Sequence, residues 1–379
     1  MKQPASLEGP IDRDRAAPAL FLQRLIEAAP GHGVTRLADV TGLDRLGLPV
    51  WQAVRPAGKS LSVHQGKGAT HAAARIGALC EAFEAHCAEQ VAADGPTATF
   101  ADLPQAERAA EPGDYCRQRG DGAKAAGPIR WCRARDLLSG ARCWLPHDLV
   151  SLDFTRGLPS PFERASNGLG AGPTEEEALL TSLLELIERD AAGQWARQDR
   201  AARLASAIDS ETIPFAWFQS WRDRLAALDV NVQVFALAPV IAIQACRCVI
   251  AGAEAFGRAY RRFSGTAAHW DGEIALFRAL AEAIQSRLTL IAGVRDDIMP
   301  SWHERERPRP ARSQSRPGGR PWHEEQAERL SAEDIGLRLA DRGYRQIAWK
   351  RLDDGRDGIA VTKAFVPGLG TSGRIRREA

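Results

Sequence analysis

Two pairs of glutamates, each spaced for one face of a helix, are the residues in this sequence best suited to chemistry. Glu185 and Glu188 lie in the apolar stretch LLELIER, and Glu81 and Glu84 lie in GALCEAFEAH. Residues three apart share a helix face, so each pair sets like charges together. Carboxylates among apolar neighbours need a partner or a raised pKa. A shared hard cation, such as Mg²⁺ bridging to a nucleotide, meets that need; a solvated helix face is the alternative.

The two pairs belong to an internal repeat. Residues 66–86 and 170–190 align at an offset of 104 with seven identities, which include both glutamate pairs. Both copies begin with G-x-G-x-T, which predicts a turn whose exposed N–H groups suit phosphate. A weaker third copy, ALFRALAEAIQSR, follows at a further offset of 97 and aligns Glu282 and Gln285 with the second pair. The repeat favours one cation site built by three helices over separate solvated faces.

Several other side chains have both a functional and a structural interpretation. Lys67, between the glycines of the first copy, is either a phosphate contact or a solvated turn residue. Glu177 fits the capping box of a helix when the residues are taken alone. On the third helix we prefer Arg287 to Arg295 as a site residue, with a salt bridge as the alternative for Arg287. His269, just before that helix, is either a site residue or a structural one.

Bulk properties exclude several classes of protein. The formal net charge of +2 over 379 residues gives no strong field for nucleic acid or an anionic membrane. The most apolar stretch, residues 230–245, is interrupted by Asn, Gln and Pro, and the N-terminus lacks the apolar core of a signal peptide. The seven cysteines show no metal-ligand spacing. We therefore predict a cytoplasmic protein with free thiols and without a nucleic-acid or membrane partner.

Helices and strands are predicted to alternate along the chain. The predicted helices are 19–29, 71–92, 175–197 and 272–293. The predicted strands are 35–40, 50–56, 61–65, two in 129–154 joined at LSGAR, 231–237 and 246–253. This order predicts an α+β (mixed α/β) fold with internal strand–helix repeats. The predicted divisions are an N-terminal extension and helix (1–30), a catalytic core (31–300), a Pro/Arg-rich excursion (301–325) and a C-terminal part of the core domain (326–379).

Long, ordered stretches of the chain resemble the YcaO family, from about residue 33 to residue 300 with a trace at the C-terminus. They include TRLADVTGLDRLGLPVWQAVRP, SNGLGAGPTEEEALLTSLLELIERDA and ALFRALAEAIQSRLTLIAGVRDD. YcaO proteins bind ATP and Mg²⁺ through carboxylate-bearing helices without Walker motifs, and this sequence has no G-x-x-x-x-G-K-[ST]. The resemblance implies a YcaO-type fold in which helices carrying E-x-x-E pairs surround an ATP site.

The resemblance also implies roles for individual residues. The implied Mg²⁺ and phosphate ligands are Glu81, Glu84, Glu177, Glu185 and Glu188. Glu185, Glu188 and Arg189 are the predicted catalytic residues, and Arg189 neutralises phosphate charge. The predicted nucleotide-binding set also includes Lys67, Glu282, Gln285 and Arg287. The positions that depart from the family pattern, each lacking a polar group expected near the nucleotide, are Gly77, Ala85, Gly170 and Pro173.

The implied activity is ATP-dependent activation of a backbone amide in a ribosomally made peptide or protein. The stretches ADVTGLDRLGLPVW and QSRLTLIAGVRDD resemble members that act with a TfuA partner, so we favour thioamide formation. Azoline formation with an E1-like partner is the alternative, although the chain lacks the Pro-rich tail common in that branch. A non-catalytic scaffold, including an accessory to ribosomal-protein modification, is the alternative from another class. No extra domain precedes residue 20, so we expect a separate peptide-presenting partner, and a homodimer is compatible with the sequence.

Overall fold

The three-dimensional structure of the chain is a computed structural model. It describes residues 18–109, 127–156, 160, 162, 164–253, 260–297, 319–324 and 328–369. The predicted N-terminal extension before residue 18, residues 301–318 and 325 of the predicted Pro/Arg-rich excursion (301–325) and the C-terminal residues 370–379 lie outside the described residues.

The predicted amphipathic helices are present, and further ones accompany them. The α-helices are α1 (Pro18–Ala28), α2 (His71–Glu89), α3 (His147–Val150), α4 (Glu175–Arg197), α5 (Arg200–Ala205), α6 (Ala216–Ala227), α7 (Gly272–Ala292) and α8 (Ala332–Asp341). Side-chain caps fix where the long helices begin, because Thr70 Oγ1 accepts from the Ala73 N–H and Thr174 Oγ1 accepts from the Glu177 N–H. No helix in the described ranges is long and apolar enough to cross a bilayer.

The strands form three antiparallel sheets. They are β1 (Arg36–Asp39), β2 (Val50–Val54), β3 (Val63–Lys67), β4 (Thr97–Ala98), β5 (Ile129–Asp136), β6 (Arg142–Pro146), β7 (Leu169–Gly172), β8 (Ala207–Ile208), β9 (Val230–Ala236), β10 (Gln244–Ala253), β11 (Tyr260–His269), β12 (Ala348–Arg351) and β13 (Ala360–Phe365). The strand orders are β1-β2-β3, β11-β10-β9-β8 and β4-β5-β12-β13-β7, with β6 paired to β5. The mixed α and β composition confirms the predicted fold class.

The internal repeat corresponds to three strand–helix units, namely β3 with α2, β7 with α4 and β11 with α7. Within the described residues, each of these strands ends its sheet and pairs with one neighbour. Each strand therefore leaves one edge without a strand partner, and the following helix packs against it. Three sheet edges and three helices are thus available to build one site.

Glycines set the close approach of strand and helix in these units. A side chain at Gly66 would overlap the backbone of Ala74, and one at Gly170 would overlap the backbone of Ala178. Gly66 and Gly170 lie inside β3 and β7, so the predicted phosphate-binding turn is wrong at these positions. The physical reason is packing, because only glycine lets a strand come this near a helix backbone.

The apolar faces of the helices are buried, which leaves their polar faces for the site. One core cluster joins α7 to α6, β9 and β10 around Trp221 and Phe218. A second joins α4 to α8 and β13, with Leu183 and Ile187 fully buried. Because an α-helix buries a stripe rather than its whole circumference, the glutamates lie beside these cores and not within them.

Candidate functional site

One glutamate from each strand–helix unit is held at the free strand edge of that unit. In each unit, a main-chain N–H at or just before the edge strand donates a hydrogen bond to the first glutamate of the helix pair. The three bonds are Gln65 N to Glu81 Oε2 at 3.1 Å, Gly168 N to Glu185 Oε2 at 3.0 Å and Thr266 N to Glu282 Oε2 at 3.4 Å. The repeat therefore places three carboxylates by the same contact, and Glu282 belongs to the set.

Glu188 links the second unit to the third. The Thr266 hydroxyl donates to Glu188 Oε1 at 2.7 Å, although Thr266 lies on β11 and Glu188 on α4. Burial and then the charge of Glu282 raise the pKa of Glu188 to about 8, although Arg189 opposes the shift. Two carboxylates on different helices therefore repel each other across a short gap, which is the environment of a cation site.

Arg189 is the positive charge that the helix itself supplies. Its guanidinium lies 3.4 Å from a Glu185 oxygen and 3.5 Å from a Glu188 oxygen. Burial lowers the pKa of Arg189, but the carboxylates of Glu188, Glu185 and Glu282 outweigh burial and raise it. Its buried Nε has no hydrogen-bond partner within the described part of the chain. Arg189 is thus charged and has a donor to spare for a ligand oxygen.

Glu81 lies on the exposed side of α2. Its side chain keeps an exposed surface, yet enough protein surrounds it for burial to raise its pKa, which Lys67 and then Arg295 partly offset. Burial also raises the pKa of Glu185, with Arg189 lowering it and Glu81 adding to the rise. Because these groups influence one another across α2, α4 and α7, their carboxylates face a common space.

The sequence favours Arg287 over Arg295 as a site residue, whereas the structure places Arg295 nearer to the carboxylates. Arg287 forms a buried ion pair with Asp44, Nε to Oδ2 at 2.9 Å, so its guanidinium is engaged away from the glutamates. Arg295 follows α7, binds Asp297 through two hydrogen bonds of 2.9 and 2.6 Å, and lowers the pKa of Glu81. The salt-bridge alternative describes Arg287, and Arg295 is the arginine near the carboxylates.

The remaining predicted residues lie on the same elements at the edge of this cluster. Glu84 lies half-buried one turn after Glu81, and Gln285 is buried one turn after Glu282. Glu177 is in the first turn of α4, where its N–H donates to the cap hydroxyl at 3.2 Å. His269 accepts a hydrogen bond from the Asp271 N–H at 2.9 Å and stacks on its neighbour Trp270, which is a structural role.

Two cations near the site were not predicted from the sequence. Arg247 lies opposite Thr266 in the β10–β11 register, donates to Ser264 at 2.7 Å and stacks over Trp195, and its charge is felt by Glu282. The Cys246-Arg247-Cys248 pattern could have indicated the orientation of this arginine. Both cysteines are buried on one face of the strand, so the arginine between them points to the other face.

The second unpredicted cation is Lys363 on β13. Its ammonium is fully buried and donates to the carbonyls of Leu149, Val150 and Ala165 at 3.2, 3.2 and 2.7 Å. Burial lowers its pKa to about 7, and the charge of Glu185 opposes that shift. No sequence pattern marks this residue, because a lysine within a short apolar strand predicts an exposed edge rather than a buried cation.

Comparison with known proteins identifies the family. A family model described as YcaO cyclodehydratase, ATP- and Mg²⁺-binding, matches residues 65–370. The chain belongs to the YcaO family. The family description names ATP and Mg²⁺ as what its members bind, and these are the cofactors of this chain. The match begins within β3 and covers the rest of the three strand–helix units and β13.

Several YcaO relatives and structures are similar to the chain. A protein of Rhizobium leguminosarum bv. trifolii, described as an uncharacterized protein in the tfuA 3′ region, is 37% identical over 278 residues, which are 72% of this chain and 66% of that protein. The chain thus spans about two thirds of that relative. Among solved structures, YcaO from Methanopyrus kandleri, bound with AMPPCP and Mg²⁺, has a TM-score of 0.70 at 21% identity, covering 93% of this chain and 91% of that one. A heterocyclase in complex with substrate and cofactor has a TM-score of 0.72 at 23% identity, covering 97% and 54%.

The departures from the YcaO pattern have local explanations in the structure. A Cβ on Gly170 would overlap the Ala178 carbonyl, and one on Gly77 would lie 3.2 Å from the Gly66 Cα. Both glycines therefore permit the close strand–helix contact. Ala85 is buried. Near Glu81 the positive charge comes instead from other parts of the chain, Lys67 on β3 and Arg295 after α7.

The carboxylate cluster fits a magnesium–nucleotide complex better than a metal held by protein alone. In the part of the chain that the structure describes, no three His, Cys, Asp or Glu side chains gather closely enough to hold a metal ion by themselves. Mg²⁺ usually takes one or two protein carboxylates and completes its shell with phosphate oxygens and water. Carboxylates that repel one another, with raised pKa values, are the donor set such an ion would bind and stabilise.

Proposed function

We propose that this YcaO protein uses Mg²⁺ and ATP to activate a backbone amide of a ribosomally made peptide, forming a thioamide together with a TfuA-like partner. The observation that carries the proposal is the set of four carboxylates from three repeats, which face one another beside Arg189. An arrangement of this kind can bind a cation and a polyphosphate.

The proposed ligands form two groups, carboxylates that bind Mg²⁺ and cations that bind phosphate oxygens. Glu81, Glu185, Glu188 and Glu282 are proposed to hold the Mg²⁺–ATP complex, with each ion bound by one or two of these carboxylates and otherwise by phosphate oxygens and water. Glu84 and Glu177, at the edge of the cluster, are proposed to bind the metal shell through water. Arg189, with Lys67 and Arg295, is proposed to bind phosphate oxygens, because each is a cation among the carboxylates and only Arg189 is paired with them directly.

The chemistry follows from what makes an amide unreactive. An amide oxygen is a poor leaving group, and ATP when bound supplies the phosphoryl group that converts it into a good one. The main-chain N–H donors of Gln65, Gly168 and Thr266 fix the carboxylates in advance, so little reorganisation is needed when charge develops. Arg189 offsets negative charge on the transferring group, and Glu188 releases its proton when a cation replaces it.

The choice of sulfur as the incoming atom is supported by the Rhizobium relative, whose description places it in the tfuA 3′ region. We propose a TfuA-like protein as the partner that delivers sulfide to the activated amide carbon. The carbon–sulfur bond then forms as the carbon–oxygen bond breaks, and the amide oxygen leaves on inorganic phosphate. We also propose that the protein works in the cytoplasm, where ATP is available; the six described cysteines are free thiols.

A second candidate, azoline formation, is favoured by a different observation. The family description names a cyclodehydratase, and the heterocyclase structure is similar over nearly the whole chain. In that reaction a Cys, Ser or Thr side chain of the substrate attacks the activated amide carbon, and one water is lost. The same ATP site serves both reactions, so the source of the nucleophile distinguishes them.

The mass of the peptide product tests the proposal. The protein, a TfuA-like partner and a candidate peptide are incubated with Mg²⁺, ATP and sulfide. Replacement of one oxygen by one sulfur is the expected result, whereas loss of one water assigns the azoline reaction. Glu185→Gln should lower the rate by about 100-fold or more, because the cation loses a charged ligand. Glu175→Gln, on the exposed side of α4, is the control and should keep full activity. Unchanged modification by Glu185→Gln would indicate a scaffold role instead.

A further inference from the structure

A concave surface of the chain lies apart from the carboxylate cluster, where β10 begins. It encloses about 270 Å³ between the β9–β10 connection, residues 319–323 and the end of α8. The apolar side chains of its wall are Leu237, Ile241 and Ile243. The cationic or titratable side chains at its rim are Arg320, His323 and Arg342. We call this surface the β10 pocket.

The rim of the β10 pocket carries positive charge that the described chain does not neutralise. Arg320 and Arg342 are exposed, and among the described residues neither side chain forms an ion pair or a hydrogen bond. Exposed arginines are stable in water, so their lack of partners costs little. Two of them beside a buried apolar wall nevertheless select a ligand that combines carboxylates with apolar side chains.

The two undescribed segments that follow α7 and β13 do not have that composition. Residues 301–318, which precede the pocket rim in sequence, contain five arginines against two glutamates. Residues 370–379 contain three arginines and one glutamate. Like charge therefore opposes binding of either segment at this rim, and a ligand from another molecule complements it better.

The β10 pocket is connected to the carboxylate cluster through one strand. Ala245 lines the pocket, and Arg247, two residues along β10 on the same face, lies opposite Thr266. Thr266 binds Glu188, so roughly 10 Å of strand separates the pocket from the proposed Mg²⁺ ligands. An extended peptide of about three or four residues covers that distance.

We infer that the β10 pocket binds an acidic and apolar segment of the polypeptide substrate and so holds the target amide at the ATP site. The inference rests on the proposed function for its substrate class. Its binding experiment needs no ATP, so the pocket and the proposed reaction can fail separately. Arg320 and Arg342 bind the carboxylates, and the wall around Ile241 covers the apolar side chains.

Fluorescence anisotropy of a short labelled peptide that alternates glutamate and leucine tests binding directly. The intact chain should bind this peptide and not a matched lysine–leucine peptide. The double variant Arg320→Ala with Arg342→Ala should weaken binding by roughly threefold to tenfold, since each exposed ion pair contributes modestly. Arg36→Ala, an exposed arginine on β1, is the control and should bind as the intact chain does. Equal binding by the double variant contradicts the inference, as does preferential binding of a peptide with the sequence of residues 301–318.

A variant that blocks the pocket without removing charge provides a second measurement. Ala238 lines the pocket and is exposed, so the Ala238→Trp variant should fold normally. It should weaken binding of the acidic peptide by about tenfold or more. In the modification reaction, the double arginine variant should raise the KM for the peptide and leave kcat and the KM for ATP unchanged. If the labelled peptide binds but the KM for the substrate does not change, the pocket belongs to a partner protein and the substrate assignment is overturned.

Discussion

We propose that Glu188 couples its own ionisation to the binding of a cation. Its folded pKa of about 8 lies above the ordinary value of 4.5, so it favours folding below about pH 4.5 and this contribution is lost as pH rises through about 8. We expect the Tm of the protein without nucleotide to fall between about pH 6 and about pH 9 more steeply than that of Glu188→Gln. Thermal unfolding of both proteins checks this, and parallel curves would contradict it. Mg²⁺ with ATP should remove most of the difference, because the ion stabilises the charged form.

Substitutions of Arg287 and Arg295 should affect different properties, stability in the first case and ATP binding in the second. Arg287→Ala leaves Asp44 buried without its partner and should cost about 3–5 kcal/mol of unfolding free energy in urea. Arg295→Ala should leave stability nearly unchanged and raise the KM for ATP several-fold, because it removes a cation near Glu81. If Arg287→Ala raises the KM for ATP and keeps the stability of the intact chain, the placement of these residues is wrong.

Among individual site residues, the sequence predicted the carboxylates better than the cations. Carboxylate pairs among apolar residues, repeated in the chain, have one simple explanation, and the structure brings Glu81, Glu185, Glu188 and Glu282 together. A cation gives no such signal, because arginine and lysine are common on any surface. Arg247 owes its position to pairing across two strands, which spacing along one helix does not report.

At the scale of elements, the depth of the site depends on how closely each helix lies on its strand. Gly170→Ala should force β7 and α4 apart, since the added carbon meets the Ala178 backbone and lies 2.7 Å from Ser182 Oγ. We expect a loss of about 1–3 kcal/mol of unfolding free energy and a slower ATP-dependent reaction. Urea unfolding measures the first effect. Gly42→Ala is the control, because a side chain there meets nothing within 4 Å. Equal stability of the two variants would contradict this role for Gly170.

The sequence predicts the three longest helices of this chain but misses the edge strands β7 and β11. The helices α1, α2, α4 and α7 agree with prediction to within a few residues, because their apolar residues recur at the helical period. The edge strand β7 (LGAG) resembles a turn, since its glycines serve packing rather than chain reversal. The strand β11 (YRRFSGTAAH) has small and polar residues where α7 packs against it, so it lacks the usual alternation.

At the scale of the whole molecule, three copies of one supersecondary unit build one site. The first two units each carry a pair of carboxylates, the third carries Glu282, and their shared orientation is what would make them a ligand set. The α+β class follows from the sequence, whereas the convergence of three sheet edges depends on contacts between residues far apart in the chain, such as Thr266 with Glu188. Periodicity does not encode such contacts, although the repeated glutamates indicated that the units belong together.

Calorimetric titration with AMPPCP tests most directly whether these carboxylates form the magnesium–nucleotide site. The intact chain should bind AMPPCP tightly with Mg²⁺ present and weakly when Mg²⁺ is removed by a chelator. The double variant Glu185→Gln with Glu188→Gln should lose the Mg²⁺-dependent part of that affinity, and Glu175→Gln should retain it. If the double variant binds AMPPCP as tightly as the intact chain in the presence of Mg²⁺, the three repeats do not form the site described here.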